Sequence, residues 1–464
     1  MSFLVCIGAL AFLMLVAYRG YSVILFAPVA ALAAVLLTNP AAVLPVYSGL
    51  FMEHMVGFVK NYFPVFMLGA LFGKVIEQSG FARSITAAVI DLVGADRAIL
   101  SIVLVCALLT YGGVSLFVVV FAVYPFAAEM FRQSDIPKRL IPGTIALGAF
   151  TFTMDSLPGT PQIQNIIPTT FFKTTSMAAP VLGSIGGLFI LVVGLVYLNW
   201  RRRTAQGRGE GYGRGHLNEP DAVDHHATVH PLIAVLPLFV VGLANFAVTK
   251  WIGPALWGTV SQVELAPGGK VLVQPVSKFL GIWSVEIALL LGILTVVAFA
   301  WKAVRPRFAE GSKAAVAGSL LAAINTASEY GFGSVIAALP GFLVIKNALT
   351  AIPNPLVNEA LTVTTLAGVT GSASGGMGIA LAAMADQFTA AAHTAGIPLE
   401  VLHRVAAMAS GGMDTLPHNG AVITLLAVTG LTHAQSYKDV FAITCIKTLA
   451  VFVVIGTYYA TGLV

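Results

Sequence analysis

Five stretches of this 464-residue chain, residues 2–17, 98–128, 177–200, 231–249 and 449–464, contain no Asp, Glu, Lys or Arg. Each is close to or above the roughly 20 residues that a helix needs to cross the hydrocarbon core of a bilayer. Inside a bilayer every backbone N–H and C=O must be satisfied within the protein, which leaves helices and closed barrels. Barrel strands would alternate in polarity over about ten residues, and these stretches are apolar on every face. The chain is therefore expected to be an all-α polytopic membrane protein. Its 10% charged and 58% apolar residues, against about 25% charged in soluble domains, exclude an ordinary cytosolic enzyme.

The formal charge of +5 does not point to nucleic acid, because membrane proteins concentrate Lys and Arg in cytoplasmic loops. Arg19 follows the first apolar stretch and no basic region precedes it, so a cleaved signal peptide is not expected and Met1 stays on the mature chain. Cys6, Cys106 and Cys445 lie far apart in apolar segments. They suit neither a disulfide framework nor a metal site and are read as packing residues. Residues 201–230 form the one segment too polar for membrane or core, with five arginines and four of the nine histidines: His216, His225, His226 and His230. It reads as a flexible cytoplasmic linker between two halves, residues 1–200 and 231–464, rather than as a metal site.

The halves echo one another. Met154-Asp155-Ser156-Leu157-Pro158 recurs 259 residues later as Met413-Asp414-Thr415-Leu416-Pro417. The glycine-bearing segment Thr110 to Ser115 has a counterpart in Thr370 to Gly375, and Gly112 and Gly371 each precede their aspartate by 43 residues. Phe72-Gly73-Lys74-Val75-Ile76 likewise resembles Phe332-Gly333-Ser334-Val335-Ile336. Three landmarks in the same order indicate a duplication, a hallmark of transporter folds.

The 31 uncharged residues 98–128 exceed one crossing and fall short of two, so a re-entrant hairpin over about 98–131 is expected, with its tip at Tyr111 to Ser115. A second hairpin is expected over about 355–395. Broken crossings follow at about 140–172 and 399–431, where Pro158, Gly159, Pro161, Pro417 and Gly420 interrupt the helices. Five crossings and one hairpin per half force the second repeat to insert upside down relative to the first. The bias of Lys and Arg, including Lys74, Arg97, Arg139 and Lys447, then places the linker in the cytoplasm and both termini outside. The loop over residues 251–278 falls outside.

Unwound backbone at membrane depth is tolerated only where protein, water or ligand satisfies it, and half-helix N-termini favour an anion. The expected substrate-binding residues are Gly112, Gly113, Ser115, Ser156, Gly159, Thr160, Gln162 and Asn165 in the first half, with Gln164 beside them. In the second half they are Gly371, Ser372, Ser374, Thr415, His418 and Asn419. No Lys or Arg lies in these motifs, so an anion would be held by backbone dipoles and neutral donors. Asp155 and Asp414 are candidate proton-coupling groups, since an ionised carboxylate at mid-membrane costs about 2.5–3.5 kcal/mol on insertion scales; the alternative is that each caps the following half-helix. His418 is a further proton-carrier candidate. Glu77, Glu329 and Glu359 fall near expected segment ends, where a solvated or interfacial role is expected.

The hairpin tip, the 43-residue interval and the Pro-Gly-broken crossing, duplicated across a linker, resemble the gluconate permease (GntP) family of the ion transporter superfamily. Residues Phe66 to Glu77 are similar to that family's early helix, and Leu157-Pro158-Gly159-Thr160-Pro161 to its proline-rich break. The resemblance implies proton-coupled symport of gluconate or a related small hydroxy acid across the bacterial inner membrane. The gluconate members are expected to carry a Pro-Pro-His-Pro-type break where Asp155 stands, so a shorter acid such as 3-hydroxybutyrate fits as well as gluconate. The expected partners are a small organic anion, protons and the lipid bilayer, and the sequence is compatible with a homodimer. A cation/proton antiporter on the same architecture is the alternative. An intramembrane aspartyl protease would need both carboxyls in one site, and duplication already accounts for the pair; no enzyme activity is expected. No Gly-x-x-x-x-Gly-Lys-Ser/Thr loop occurs, so no nucleotide or other cofactor, and no metal, is expected.

Overall fold

The computed structural model describes residues 2–19, 21–94, 97–220, 229–269, 271–344, 352–417 and 419–464. It is an all-α, membrane-spanning architecture with one small β-ribbon among the described residues. Among the described residues, five helical runs are each long and apolar enough to cross a bilayer alone: Pro40–Gln78, Pro180–Gln206, Pro231–Trp257, Lys278–Ala338 and His433–Thr461. Large apolar side chains such as Leu36, Leu37, Phe121, Leu188, Val196 and Phe239 point outward. In water such a surface would drive aggregation, whereas lipid tails solvate it.

Helices α1 (Ser2–Tyr18) and α2 (Val23–Thr38) pack together. A 3-10 turn (Pro40–Ala42), α3 (Val43–Val46) and a π-helical turn (Tyr47–Phe51) run continuously into α4 (Met52–Gln78), and Gly80, at φ +78°, reverses the chain into α5 (Phe81–Val93). Next come α6 (Ala98–Tyr111) and α7 (Leu116–Gln133), separated only by residues 112–115, and then α8 (Ile141–Ala149), α9 (Phe152–Asp155), α10 (Ile163–Phe172) and α11 (Pro180–Gln206). After the linker run α12 (Pro231–Ala247), α13 (Gly253–Trp257), strands β1 (Val260–Glu264) and β2 (Val271–Pro275), and α14 (Val276–Ala338). The chain closes with α15 (Pro355–Thr370), α16 (Ala373–Ala395), α17 (Leu399–Ser410), α18 (Gly420–Thr429) and α19 (His433–Thr461).

At 63 residues, α14 would reach about 95 Å if straight, three times a bilayer core of about 30 Å. It is two helices meeting at Ala300, whose φ −133° and ψ 22° are not helical. A basic run, Lys302, Arg305, Arg307 and Lys313, follows that kink. Across the halves α4 packs on α14, α10 on α16 and α17, and α8 on α19, which brings the interrupted segments to the middle of the molecule. Asp439 of α19, almost fully buried, accepts hydrogen bonds from Arg201 Nε (2.6 Å), Tyr197 Oη (2.8 Å) and Arg139 Nη1 (3.2 Å). A buried carboxylate needs such partners, and these tie α11 and the start of α8 to α19.

Three sequence expectations change. The loop over 251–278 carries an antiparallel β-ribbon pairing Val260 with Pro275 and Glu264 with Val271; alternation of Val with polar residues around a Pro-Gly-Gly turn was its signal. The linker is not a loose tether over its first part. Helix α11 continues to Gln206, and residues 207–220 fold back as a strap. Glu210 pairs with Arg139 (2.6 Å), Glu219 with Lys138 (2.8 Å) and Arg132, and the Tyr212 ring is buried beneath. His216 bonds the Tyr212 carbonyl and His230 accepts from Leu232 N at the start of α12, while His225 and His226 lie outside the described residues. Cys6 and Cys106 are packing residues, but Cys445 is exposed on α19.

Candidate functional site

Each half contains two interruptions, one between paired helices (residues 112–115 and 371–372) and one later in the half (residues 156–162 and 411–419). In the first half α6 ends at Tyr111, Gly113 adopts φ +99°, and α7 begins after Ser115. Gly113 has no room for a side chain: a Cβ there would press on Pro161 and Leu289. The break at residues 156–162 lies against this tip. Tyr111 Oη donates to Pro158 O (2.8 Å), and Gln162 Nε2 donates to Thr110 O (2.8 Å) and Val114 O (3.3 Å).

The second half repeats the arrangement with other residues. Gly371 ends α15 at φ +65°, and Ser372 caps α16 by accepting from Gly375 N (3.1 Å). Asn419 latches tip to break, its Nδ2 donating to Gly371 O (2.7 Å) while its Oδ1 caps α18 by accepting from Val422 N (2.9 Å). In both halves a side-chain amide satisfies carbonyls that the broken helices leave free.

The aspartates are held differently, and neither caps the helix after its break. Helix α10 starts at Gln162 with no side-chain cap, and α18 is capped by Asn419. Asp155 is buried and accepts from Ser156 Oγ (2.7 Å); a Cβ on Gly411 would run into its Oδ2, so the glycine of the second break makes room for the acid of the first. Arg404 of α17, fully buried, reaches the same place. It donates to Asp155 O (2.8 Å), Asn165 Oδ1 (3.1 Å) and Ala178 O (2.7 Å). His403 beside it bonds Asn165 Oδ1 (3.2 Å) and Thr174 Oγ1 (2.6 Å). Asp414 instead pairs directly with the buried Lys447 of α19, whose Nζ also donates to Phe150 O (3.1 Å), at the end of α8 in the other half. The expectation that no cation serves these motifs is thus corrected: Lys447, read from sequence as a charge on the cytoplasmic side, and Arg404 are both buried at the breaks, Lys447 on α19 and Arg404 on α17.

A cavity of about 840 Å3 is lined from all four interruptions: Gly113 and Ser115, Gln162 and Gln164, Gly371, Ser372 and Ser374, and Asp414, Thr415 and Asn419. The other expected site residues do not line it. Gly112 packs on Leu238; Ser156, Gly159, Thr160 and Asn165 are buried in the first break, where Asn165 Nδ2 donates to the carbonyls of Thr160 and Ser176 (2.9 Å each). His418 lies outside the described residues. The cavity adds groups that the motifs do not contain: Lys74 and Glu77 of α4, which pair at 3.0 Å, and Asn325, Thr326 and Glu329 of α14. Glu77 is exposed as expected, but Glu329 (4% exposed) and Glu359 (0%) are buried, and neither Glu359 oxygen has a partner among the described residues. The missed signal was an acid inside a predominantly apolar helix, which marks a functional position by default.

No family model matches the chain. A protein of Bacillus subtilis (strain 168) described as uncharacterized transporter YxjC is 56% identical over 477 residues, an alignment that covers all of both chains. The crystal structure of the Alcanivorax borkumensis YdaH transporter, described as having an unusual topology, is similar with a TM-score of 0.59 at 15% identity over 88% of each chain. The structure of Neisseria gonorrhoeae MtrF, presented as illuminating a class of antimetabolite efflux pumps, is similar with a TM-score of 0.52 at 13% identity, over 88% of this chain and 83% of that one. At these identities the likeness to the two solved structures is one of fold.

Proposed function

Since the chain belongs to the family of the Bacillus subtilis transporter YxjC, we propose that it is a secondary active transporter carrying a small organic carboxylate, gluconate or 3-hydroxybutyrate in class, into the cell together with protons. The observation that carries this reading is the cavity lined by both tips and both breaks. Half-helix starts there offer N–H groups to a carboxylate, and Ser115, Gln162, Ser372, Thr415 and Asn419 offer neutral partners to hydroxyls. The halves are taken as inverted repeats that rock about this site, with the linker in the cytoplasm of a bacterial inner membrane and both termini outside. On that topology an impermeant thiol reagent labels Ser261→Cys on the β-ribbon in intact cells, in a background lacking Cys445; labelling only after lysis refutes it.

A monocarboxylate carried with one proton moves no net charge, so a pH gradient alone drives uptake. A second proton would add about 2.3 kcal/mol per 100 mV, roughly fortyfold in accumulation. Proteoliposomes at clamped zero voltage test the reading: radiolabelled 3-hydroxybutyrate or gluconate accumulates when the outside is acid. Uptake that follows sodium and ignores pH overturns the coupling ion, and proton-driven export, the direction the MtrF description names for that protein, overturns symport.

A further inference from the structure

We propose that Glu329, which lies in neither duplicated motif, is the residue that takes the coupling proton. The inference rests on the carboxylate-symport reading and deepens it. Glu329 sits on α14 with its side chain in the cavity wall, is 4% exposed, and lies against the second hairpin tip, where its Oε2 and Ser372 Oγ both border Gly375. One turn earlier on the same helix, Thr326 Oγ1 lies 3.3 Å from Ser374 Oγ. Gly375 in the first turn of α16 is a glycine for this reason: a Cβ there would overlap Glu329 Oε2. The acid is therefore built into the tip and shares the cavity that would hold the substrate.

The other buried or cavity-lining acids are placed differently, and Asp439 among them is held by Arg201, Tyr197 and Arg139. Asp414 lines the cavity, but its charge is offset by Lys447 whether or not an anion is bound. Asp155 does not line the cavity and lies against Gly411 in the second break. Glu77 is exposed and paired with Lys74, and Glu359 is buried away from the cavity. The remaining titratable groups lining the cavity are Lys74 and Tyr21. Helices α2, α10 and α12, which pack on α14, contain no titratable side chain; those of α16 are Asp386 and His393, in its distal half, and those of α4 are Glu53, His54, Lys60, Tyr62, Lys74 and Glu77, of which Lys74 and Glu77 alone line the cavity. Among the described residues, Glu329 is thus left without a cation of its own. A substrate carboxylate entering the cavity meets a like charge unless Glu329 is protonated, and two carboxylates in one site cannot both stay ionised cheaply. Binding one monocarboxylate then takes up one proton on the Glu329 carboxyl, and release returns both, which makes transport electroneutral.

The full-length protein in proteoliposomes, with 3-hydroxybutyrate and gluconate as probes, tests this. Wild type under a one-unit inward pH gradient at zero voltage approaches tenfold accumulation, the value for one proton. Glu329→Gln, permanently neutral, still exchanges labelled for unlabelled probe at symmetric pH, with an exchange rate that no longer falls as pH rises, but accumulates nothing above equilibrium. Ser372→Ala gives a second reading, since the charged carboxylate loses a neighbouring hydroxyl that favours its ionised form: the pH at which exchange falls to half moves upward. Gradient-driven accumulation by Glu329→Gln at the wild-type level, loss of exchange along with accumulation in a monodisperse Glu329→Gln sample, or an unmoved pH profile in Ser372→Ala overturns the assignment. Wild type that neither exchanges nor accumulates either probe overturns the carboxylate reading instead, so the two failures are distinguishable.

Discussion

The two breaks carry nearly the same sequence, Met-Asp-Ser-Leu-Pro and Met-Asp-Thr-Leu-Pro, yet their aspartates have different surroundings. Asp155 takes a hydroxyl from its neighbour Ser156, while the nearby guanidinium of Arg404 is spent on main-chain carbonyls and Asn165 rather than on the carboxylate. Asp414 has an ammonium of its own from Lys447. Both cations come from the second half, Arg404 from α17 and Lys447 from α19. A duplicated motif therefore reproduces the backbone interruption, which local Pro and Gly dictate, without reproducing the counter-charge, which a distant helix supplies.

The sharpest way to break this comparison is at Lys447. Lys447→Met leaves Asp414 buried without its ammonium and Phe150 O without a donor, and losing one partner of a buried pair costs about 3–5 kcal/mol. The detergent-purified variant is expected to melt well below wild type, and Lys447→Met with Asp414→Asn to recover part of the loss. Asp155→Asn keeps the size and the Ser156 contact and is expected to cost about 1 kcal/mol or less. Equal melting shifts for Asp155→Asn and Asp414→Asn would show that the two breaks are held alike after all.

A smaller effect is expected at Arg404. Arg404→Lys keeps the charge but replaces a planar fork with a single ammonium, which cannot serve Ala178 O, Asp155 O and Asn165 Oδ1 together; each acceptor left bare costs about 1–3 kcal/mol. The loss should appear as faster amide exchange in residues 156–162 and not in 411–417. The smallest effect belongs to the strap, where Glu210 pairs with Arg139 just ahead of the first broken crossing. That hydrogen-bonded guanidinium holds the Glu210 carboxyl below its ordinary value. A lowered folded value means that the stabilisation is present above the unfolded value of about 4.3 and is lost as pH falls through the folded one. For a pair this exposed the contribution is a few tenths of a kcal/mol. Melting curves of Glu210→Gln and wild type should differ slightly at pH 7 and converge in acid.

Of the candidate site, the residues read from local interruptions fall into two groups that sequence could not separate. Ser115, Gln162, Ser372, Ser374, Thr415 and Asn419 reach the cavity, whereas Ser156, Thr160 and Asn165 hold the first break together. Both groups are polar side chains within three residues of a Pro or Gly, and which way each points depends on what packs against the break. Glu329 escaped because it belongs to no motif, and Lys447 because a lysine beside an uncharged stretch reads equally well as a membrane-edge anchor.

What the sequence by itself determined is what depends on the chain alone. Uncharged stretches of bilayer length require helices, because only a helix satisfies its own backbone in lipid, and glycine and proline dictate where those helices stop. The tertiary structure alone decided which charges are buried, which acid meets which cation, and which polar groups face the cavity rather than one another. Those outcomes depend on contacts between α8 and α19, α10 and α17, and α14 and α16, helices whose spacing along the chain carries no record of their pairing in space.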